Sequence, residues 1–251
     1  MTSDSTQNPF QSTEKGFTLI EMAIVIAIIG VLVAMLAPML GNIAENNRTE
    51  LTVQRMDQIE NAMVVFLRQN GRLPCPAAPN GAPLGDERAS CNTGNNNDGI
   101  VPFRSLGLAE ADVRDGYGNY YTYHVAEDYA DSSLPTVMTD PGGFCFVASG
   151  EPNGDLDIED INGTNVTGQD IAFTLISHGK NGYGRYDPPG NGKVNANGGG
   201  TFEDENNDSD ADFVDGIRLT DDATDGPLDD AVIWKTRDGL AGQAIEFGCS
   251  P

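Results

Sequence analysis

Basic residues are scarce in this chain: 14 lysines and arginines stand against 38 aspartates and glutamates, for a formal net charge of −24 over 251 residues. Nucleic-acid binding depends largely on Lys and Arg side chains that displace the counterions of phosphate groups. We therefore expect no nucleic acid among the partners. An acidic chain of this kind attracts divalent cations or basic partners instead, although solubility or adaptation to salty water explains much of the same charge.

Sequence signals of catalysis are also missing. The chain has two histidines, and its four cysteines form no C-x-x-C pair. It contains no G-x-S-x-G, no H-E-x-x-H and no phosphate-binding loop. We interpret His178 as a turn residue and His124 as a half-exposed strand residue. No enzyme is expected, and a membrane-anchored hydrolase is the least favoured alternative.

One long apolar run is present at residues 17–40, FTLIEMAIVIAIIGVLVAMLAPML, and its only charged residue is Glu21. As a helix rising about 1.5 Å per residue it reaches roughly 36 Å, more than the roughly 30 Å core of a bilayer. A secretory signal peptide matches poorly, because the run is too long, holds an acid and lacks a positive start. An ordinary membrane anchor explains the length of the run but not Glu21, because placing an acidic side chain inside a membrane costs about 2.5–3.5 kcal/mol of insertion free energy. Glu21 therefore either reaches the lipid headgroups or has a function.

The residues around Glu21 favour a third interpretation. The segment Lys15-Gly16-Phe17-Thr18-Leu19-Ile20-Glu21 resembles the processing site of type IV prepilins and type II secretion pseudopilins. That pattern has a hydrophilic leader ending in Gly, an aromatic first mature residue, a Glu at the fifth mature position and a long apolar helix. The resemblance implies that a prepilin peptidase removes the leader, residues 1–16, by cutting between Gly16 and Phe17, and methylates the new amine. The leader departs from the pattern in lacking net positive charge.

Glu21 also has a physical role in this interpretation. Cleavage places an ammonium group at Phe17, four residues earlier and on the same side of a helix. Burying the two charges as a pair costs less than burying either alone. Glu21 of an incoming subunit can therefore meet the Phe17 amine of a subunit already in a filament, which sets the axial register. We expect residues 17–41 to serve first as a transmembrane helix and then as filament core.

An amphipathic helical stretch is predicted at residues 42–70, after a bend at Pro38 and Gly41. Its apolar residues fall largely three or four positions apart. Asn70-Gly71 is a typical helix end. We expect the apolar stripe to pack on a sheet, and a coiled coil with a partner is the alternative.

The composition of residues 71–251 shifts to Gly, Pro, Asn and Asp, with short strand-like runs between turn residues. The predicted strands are Tyr120–Ala126, Phe144–Ala148, Ile171–Ser177 and Ala231–Lys235. With the long helix they predict an α+β, pilin-like fold in which the helix packs on an antiparallel sheet with long loops.

Four short runs in this part resemble type II secretion major pseudopilins. They are Asn70–Pro74, Asp115–Asn119, Ser177–Gly182 and Asp229-Asp230 ahead of Trp234. Long insertions at residues 75–111 and 182–228 depart from a compact major pseudopilin. This departure favours a minor or specialised pilin.

The resemblance places residues 71–251 outside the cytoplasm, where cysteines pair. The four cysteines allow three pairings. We expect Cys75–Cys91, which closes the loop after the helix, and Cys145–Cys249, which joins the C-terminus to a strand. Free buried thiols are the alternative.

Residues 203–230 hold twelve acids and one base. Oxygen-bearing side chains alternate in a spacing that suits a hard cation such as calcium; they are Asp204, Asn206, Asp208, Asp210 and Asp212. The resemblance to major pseudopilins implies instead that Asp229 and Asp230 are calcium ligands, with backbone oxygens from the turn at 177–181. A weaker candidate is the run at 153–159, and a solvated acidic loop explains all three patterns without a metal.

The sequence therefore predicts a structural subunit, a minor pilin or pseudopilin, of a type IV pilus or type II secretion filament. Its expected location is the bacterial inner membrane, as a single-pass protein with a periplasmic C-terminal domain, and later the extracytoplasmic filament. Expected partners are a prepilin peptidase, other pilin or pseudopilin subunits and the inner-membrane assembly platform. A calcium-dependent adhesin-like binding module displayed on such a filament is the alternative.

Overall fold

A computed structural model describes most of the chain after residue 15. The described ranges are 16–70, 72–91, 98–130, 156–165, 171–190, 192–194, 201–207, 212–216, 228–236 and 239–240, without the side chains at 36–40, 42, 128 and 201. The chain divides into two compact units, Met1–Asn46 and Asn47–Pro251.

A single long helix dominates the first part of the chain. Helix α1 spans Leu19–Asn70, 52 residues, and its backbone stays helical through Pro38 and Gly41. The predicted long helix is thus confirmed, starting two residues later than expected, while the bend at Pro38 stays a prediction. Within the described part of the chain, no helix is long and apolar enough to cross a membrane.

The second half of α1 is buried along one stripe. Its buried apolar side chains recur at three- and four-residue intervals, which places them on one helical face; they include Met56, Ile59, Met63 and Leu67. These side chains join the core cluster of the second unit. The stripe therefore packs in its own domain, as predicted, and the coiled-coil alternative is not supported.

The core sheet has four antiparallel strands in the order β1-β2-β4-β6. Their bounds are β1 Asp98–Ile100, β2 Thr122–Val125, β4 Ile171–Ser177 and β6 Ala231–Thr236. Three of the four predicted strands are confirmed as β2, β4 and β6, and β1 was missed. The predicted strand Phe144–Ala148 lies outside the described residues.

A smaller layer, also missed by sequence analysis, consists of two parallel strands, β3 Asp157–Glu159 and β5 Asp212–Val214. The remaining elements are a 3-10 helix at Glu110–Val113 and two short helices, α2 Glu127–Ala130 and α3 Thr201–Glu205. Helix α3 and strand β5 both come from the long insertion at 182–228.

The two faces of β2 contact different parts of the domain. The Tyr123 hydroxyl donates to the Pro74 carbonyl at 3.0 Å, just past the end of α1. On the other face, the His124 ring meets the Phe213 ring of β5 at a centroid distance of 4.7 Å. His124 is 2% exposed, so the expectation of a half-exposed strand residue was wrong. The added β3–β5 layer covers the face that was predicted to meet water.

The predicted bridge Cys75–Cys91 is present, joining residues 16 apart in sequence. The Arg72 guanidinium contacts both carboxylate oxygens of Glu87 within this loop, at 2.8 and 3.1 Å. The bridge and the ion pair together fix the chain that leaves α1. Cys145 and Cys249, the second predicted pair, lie outside the described residues.

Candidate functional sites

The predicted processing site lies at the exposed start of α1. Residues 16–35 are all exposed, Phe17 by 84%. A Cβ placed on Gly16 meets no described heavy atom within 4 Å. The described residues therefore give no steric reason for glycine at position 16.

Glu21 closes the first turn of the helix. Its Oε2 accepts hydrogen bonds from the Thr18 backbone N–H and the Thr18 hydroxyl, both at 2.8 Å. The Glu21 N–H in turn points to Thr18 Oγ1 at 3.3 Å. This reciprocal pair is a capping box, which satisfies N–H groups that have no partner inside the helix. Sequence analysis missed it, although Thr18-x-x-Glu21 is its ordinary signal.

Beyond Glu21 the exposed side chains are almost all apolar. They include Met22, Ile24, Val25, Ile26, Ile28, Ile29, Val31, Leu32, Val33 and Met35, with exposures between 47% and 67%. Soluble domains rarely expose a continuous apolar surface of this size unless it is an interaction site. The exposed apolar side chains of residues 22–35 are therefore typical of an interaction site.

A second candidate site is a group of three carboxylates that meet beside β6. Glu203 lies on α3, and Asp229 and Asp230 immediately precede β6. One oxygen of each lies within 4.8 Å of the others. Sequence analysis predicted Asp229 and Asp230 but missed Glu203, which nothing in the acidic segment distinguished from its eleven acidic neighbours.

The turn after β4 holds Asp229 in place. The backbone N–H groups of Lys180 and Asn181 donate to Asp229 Oδ2 at 2.9 and 3.1 Å. Gly179 has a φ of +53°, and a Cβ there would clash with the Asp229 carboxylate. The turn was expected to supply backbone oxygen ligands, but it presents N–H donors to the carboxylate. The carbonyls of His178 and Gly179 are already engaged, by Gly182 N–H and Asn119 Nδ2.

Two of the pseudopilin-like runs meet through Asp115. Its carboxylate accepts from the Tyr117 and Asn119 N–H groups, both at 2.9 Å, and from the Ser177 hydroxyl at 2.8 Å. Burial outweighs these hydrogen bonds and raises the pKa of Asp115. Because the Asn119 side chain also donates to the Gly179 carbonyl at 2.7 Å, the 115–119 turn positions the turn that holds Asp229.

Glu203 is nearly fully buried, at 1% exposure. The Asn181 amide donates to both of its oxygens, at 2.8 and 3.0 Å, and the Asp229 N–H donates at 3.1 Å. Burial raises the pKa of Glu203 to about 7, and the negative charge of Asp229 contributes to the increase. The site therefore favours a proton or another positive charge at this carboxylate.

Asp230 has polar neighbours on two sides. Asn206 Nδ2 donates to Asp230 Oδ2 at 3.1 Å, while Asn206 Oδ1 accepts the Val214 N–H at 2.8 Å. His178 Nδ1 lies 3.9 Å from the same Asp230 oxygen. His178 begins the turn after β4, as expected, and its side chain is 0% exposed. Burial is the main cause that lowers the pKa of His178 to about 3, and nearby positive charges contribute. The ring is therefore neutral.

Three of the five members of the alternating run 204–212 are described, and two of these lie in regular elements. Asp204 lies on α3 and is not in the carboxylate group, and the Asn206 oxygen is engaged with Val214. Asp208 and Asp210 lie outside the described residues, and Asp212 begins β5. In the weaker run, the two described acids, at 157 and 159, belong to β3.

Comparison with known families finds one match, to the prokaryotic N-terminal methylation motif, at residues 11–37. No curated protein and no solved structure matches the chain. The matched residues contain Gly16, Phe17, the capping box and the exposed apolar turns that follow. The motif supports a pilin-like or pseudopilin subunit, processed by a prepilin peptidase and assembled with other subunits, rather than an enzyme. The chain thus carries the prepilin-type cleavage and methylation signal of type IV pilins and pseudopilins.

Proposed function

We propose that this chain is a minor pilin or pseudopilin of a type IV pilus or type II secretion filament. The observation that carries the proposal is the methylation motif at the start of a helix whose next turns expose apolar side chains all round. The peptidase cuts between Gly16 and Phe17, and Phe17 becomes the methylated first residue. The long insertions at 75–111 and 182–228, the second of which builds α3 and β5, support a minor role.

Before assembly, residues 17–41 anchor the subunit in the inner membrane, with the second unit in the periplasm. The support is the sequence run of 24 residues with a single charge. The assembly platform then moves the helix from lipid into the filament, where neighbouring subunits cover the same apolar side chains.

Glu21 exchanges partners in this step. In the single chain its carboxylate caps its own helix through Thr18. In the filament it meets the Phe17 amine of a neighbouring subunit, because an unpaired carboxylate is costly to bury and an ion pair is less so. Because of this exchange, filament assembly depends on Glu21. The fold of the second unit does not depend on it.

The test is filament formation by Glu21→Ala in cells that assemble the wild-type subunit. Glu50→Ala is the matched control, because Glu50 is an exposed acid on the same helix whose carboxylate accepts from Gln54 at 3.2 Å. We expect Glu21→Ala to reduce filament incorporation at least about tenfold and Glu50→Ala to leave it unchanged. Normal incorporation of Glu21→Ala would refute the register role.

We also propose that Glu203, Asp229 and Asp230 hold a divalent cation, with calcium as the expected ion. Three carboxylates whose oxygens lie within 4.8 Å of one another form an oxygen-rich donor set of the kind that hard cations bind. The raised pKa of Glu203 and the glycine at 179, where a Cβ would enter the Asp229 carboxylate, both fit a site shaped around positive charge. The ion stabilises the junction of α3, β6 and the turn after β4.

Calorimetry with calcium and the melting temperature in EDTA test this site on the full chain in detergent. Asp229→Asn should abolish the calcium heat, whereas Asp204→Asn should keep it, because Asp204 lies outside the carboxylate group. No calcium heat in the wild type, with an unchanged melting temperature in EDTA, would remove the calcium proposal. If only Asp204→Asn lost calcium binding, the ion would instead be bound by the alternating run at 204–212.

A further inference from the structure

Four asparagines of this chain begin the triplet Asn-x-Ser/Thr, which is the acceptor pattern for an N-linked glycan. They are Asn47, Asn162, Asn165 and Asn207. All except Asn165 also have an acidic residue two positions earlier, at 45, 160 and 205. The local sequence therefore does not separate these three asparagines, and only their places in the fold distinguish them.

The triplet at 47–49 lies inside helix α1. Its residues are exposed, but their backbone groups belong to the middle of a helix of 52 residues. A modifying enzyme binds the amide and the hydroxyl of the triplet together, and a helix would first have to open its N–H to C=O bonds. The helical backbone therefore disfavours Asn47 as an acceptor.

Asn207 is inaccessible for a different reason. It is 4% exposed, and a Cβ placed on Gly184 would come 2.8 Å from the Asn207 Cβ, so the side chain is packed against that backbone. Asn165 is exposed, but its amide donates to Asp157 Oδ1 at 2.7 Å, and positions 166 and 167 of its triplet lie outside the described residues.

The triplet at 162–164 is exposed and forms part of the turn that follows β3. The Asp160 carboxylate holds this turn. Its Oδ1 accepts from the backbone N–H groups of Asn162 and Thr164 at 2.8 and 3.0 Å, and its Oδ2 accepts from the Asn162 amide at 3.1 Å. These hydrogen bonds all lie within residues 160–164, so an enzyme can open the turn without disturbing the core.

The surroundings of the turn leave room for a large substituent. A Cβ placed on Gly163 would meet, among the described residues, only Glu159 Oε2, at 3.8 Å. On the other side, a Cβ on Gly216 would come 2.5 Å from Ile161 Cγ2, so Ile161 contacts the chain after β5. The turn is therefore attached to the domain through Ile161 and open at Asn162.

We propose that Asn162 is an acceptor site for an N-linked oligosaccharide, which an oligosaccharyltransferase transfers from a polyprenyl pyrophosphate. The Asn162 amide nitrogen attacks the anomeric carbon of the first sugar, and the bond between that carbon and the pyrophosphate oxygen breaks. Polyprenyl pyrophosphate leaves, and a base of the transferase takes the proton that the amide loses. This inference rests on the extracytoplasmic placement of the second unit in the proposed function, because the transfer takes place outside the cytoplasm.

Peptide mapping and the intact mass of the full chain test the site. The chain is produced in bacterial cells that contain an oligosaccharyltransferase, a lipid-linked oligosaccharide of known mass and a separate exported acceptor protein that these cells glycosylate. A C-terminal tag with its own Asp-x-Asn-x-Thr sequence reports whether the second unit reaches the compartment of the donor. We expect one oligosaccharide on the tag and one on Asn162.

Three variants at the surface of the turn localise the modification. Asn162→Gln removes the acceptor amide, and Thr164→Val removes the hydroxyl of the triplet while keeping its size. Each should lower the occupancy of the site at least about tenfold. Asn165→Gln is the matched control and should leave the occupancy of Asn162 unchanged, because Asn165 is equally exposed and lies outside the triplet.

Three results would contradict the inference. An oligosaccharide on the tag with none at Asn162 rules out the site and leaves the placement and the filament role standing. Modification of Asn47 or Asn207 in place of Asn162 shows that accessibility in the folded chain does not select the acceptor. No oligosaccharide on the tag or on Asn162, while the separate acceptor protein is modified, overturns both the extracytoplasmic placement and the site.

Discussion

Both halves of helix α1 carry apolar side chains, but these side chains are exposed in the first half and largely buried in the second. Between residues 19 and 35 the side chains are exposed, whereas Met56, Ile59, Met63 and Leu67 are at most 2% exposed and belong to the core of the second unit. The second half carries its apolar residues on one stripe and the first half carries them all round. A helix that is apolar all round is stable only when it is surrounded. The second half is buried in its own domain, and the first half is not covered by the described residues.

The same substitution in the two halves gives the strongest test of this comparison. Ile59→Ala removes a fully buried side chain and should lower the free energy of unfolding by about 2–5 kcal/mol. Ile24→Ala removes a side chain that is 54% exposed and should change it by less than about 0.5 kcal/mol. Urea unfolding in detergent measures both through Trp234, the one tryptophan, which packs against the core. Equal losses in the two variants would break the comparison.

The disulfide gives the next largest effect and is confined to the second unit. Replacing both Cys75 and Cys91 by serine releases a loop of 16 residues and should cost about 3 kcal/mol in the chain-entropy account. Urea unfolding of the double variant measures the loss, with reduced wild-type protein as the control. We expect filament incorporation of the surviving folded protein to be unchanged. A specific assembly defect at full stability would show that the loop takes part in subunit contacts.

The carboxylates of Glu21, in the first half of α1, and Glu203, in the second unit, should differ in how strongly their ionisation affects stability. The pKa of Glu203 is raised to about 7, above its ordinary value of 4.5, so the folded chain favours the protonated form. Its contribution to stability is complete below about pH 4.5 and is lost as the pH rises through about 7. The difference between 4.5 and about 7, at about 1.4 kcal/mol per pKa unit, gives an effect on the order of 3 kcal/mol.

Urea unfolding of metal-free protein between pH 5 and 8 measures this effect. Glu203→Gln should remove most of the decline in the free energy of unfolding as the pH rises. Calcium added to the wild-type protein should restore its stability at pH 8, because the ion replaces the proton at Glu203. Glu21→Gln is the matched control and should follow the wild-type curve, since Glu21 is exposed and bonds only locally to Thr18. A flat wild-type curve would contradict the raised pKa.

Local patterns predicted the elements whose sequence signals are local. The long helix follows from its apolar periodicity, and β4 was predicted at its observed bounds, Ile171–Ser177, because a buried central strand is a continuous apolar run between turns. The pair Cys75–Cys91 was predicted from its position in the loop after the helix. The sequence signal for each of these elements lies in residues that are close together in the chain.

The parts that were missed depend on contacts between distant segments. Glu203 joins Asp229 and Asp230 because α3 lies next to the residues that precede β6, and no spacing in the acidic segment encodes that contact. His124 was expected to be half exposed, since alternation along β2 does not show that β5 covers its outer face. The Thr18–Glu21 capping box was visible in the sequence, but the search for a membrane role of Glu21 overlooked it.

The central claim is that this chain is made as a precursor and trimmed at residue 16. Mass spectrometry of the intact protein, purified from cells that contain a prepilin peptidase, tests it most directly. The account predicts a chain that begins at Phe17 and carries one methyl group on its N-terminal amine. A chain that retains residues 1–16 under the same conditions would contradict it.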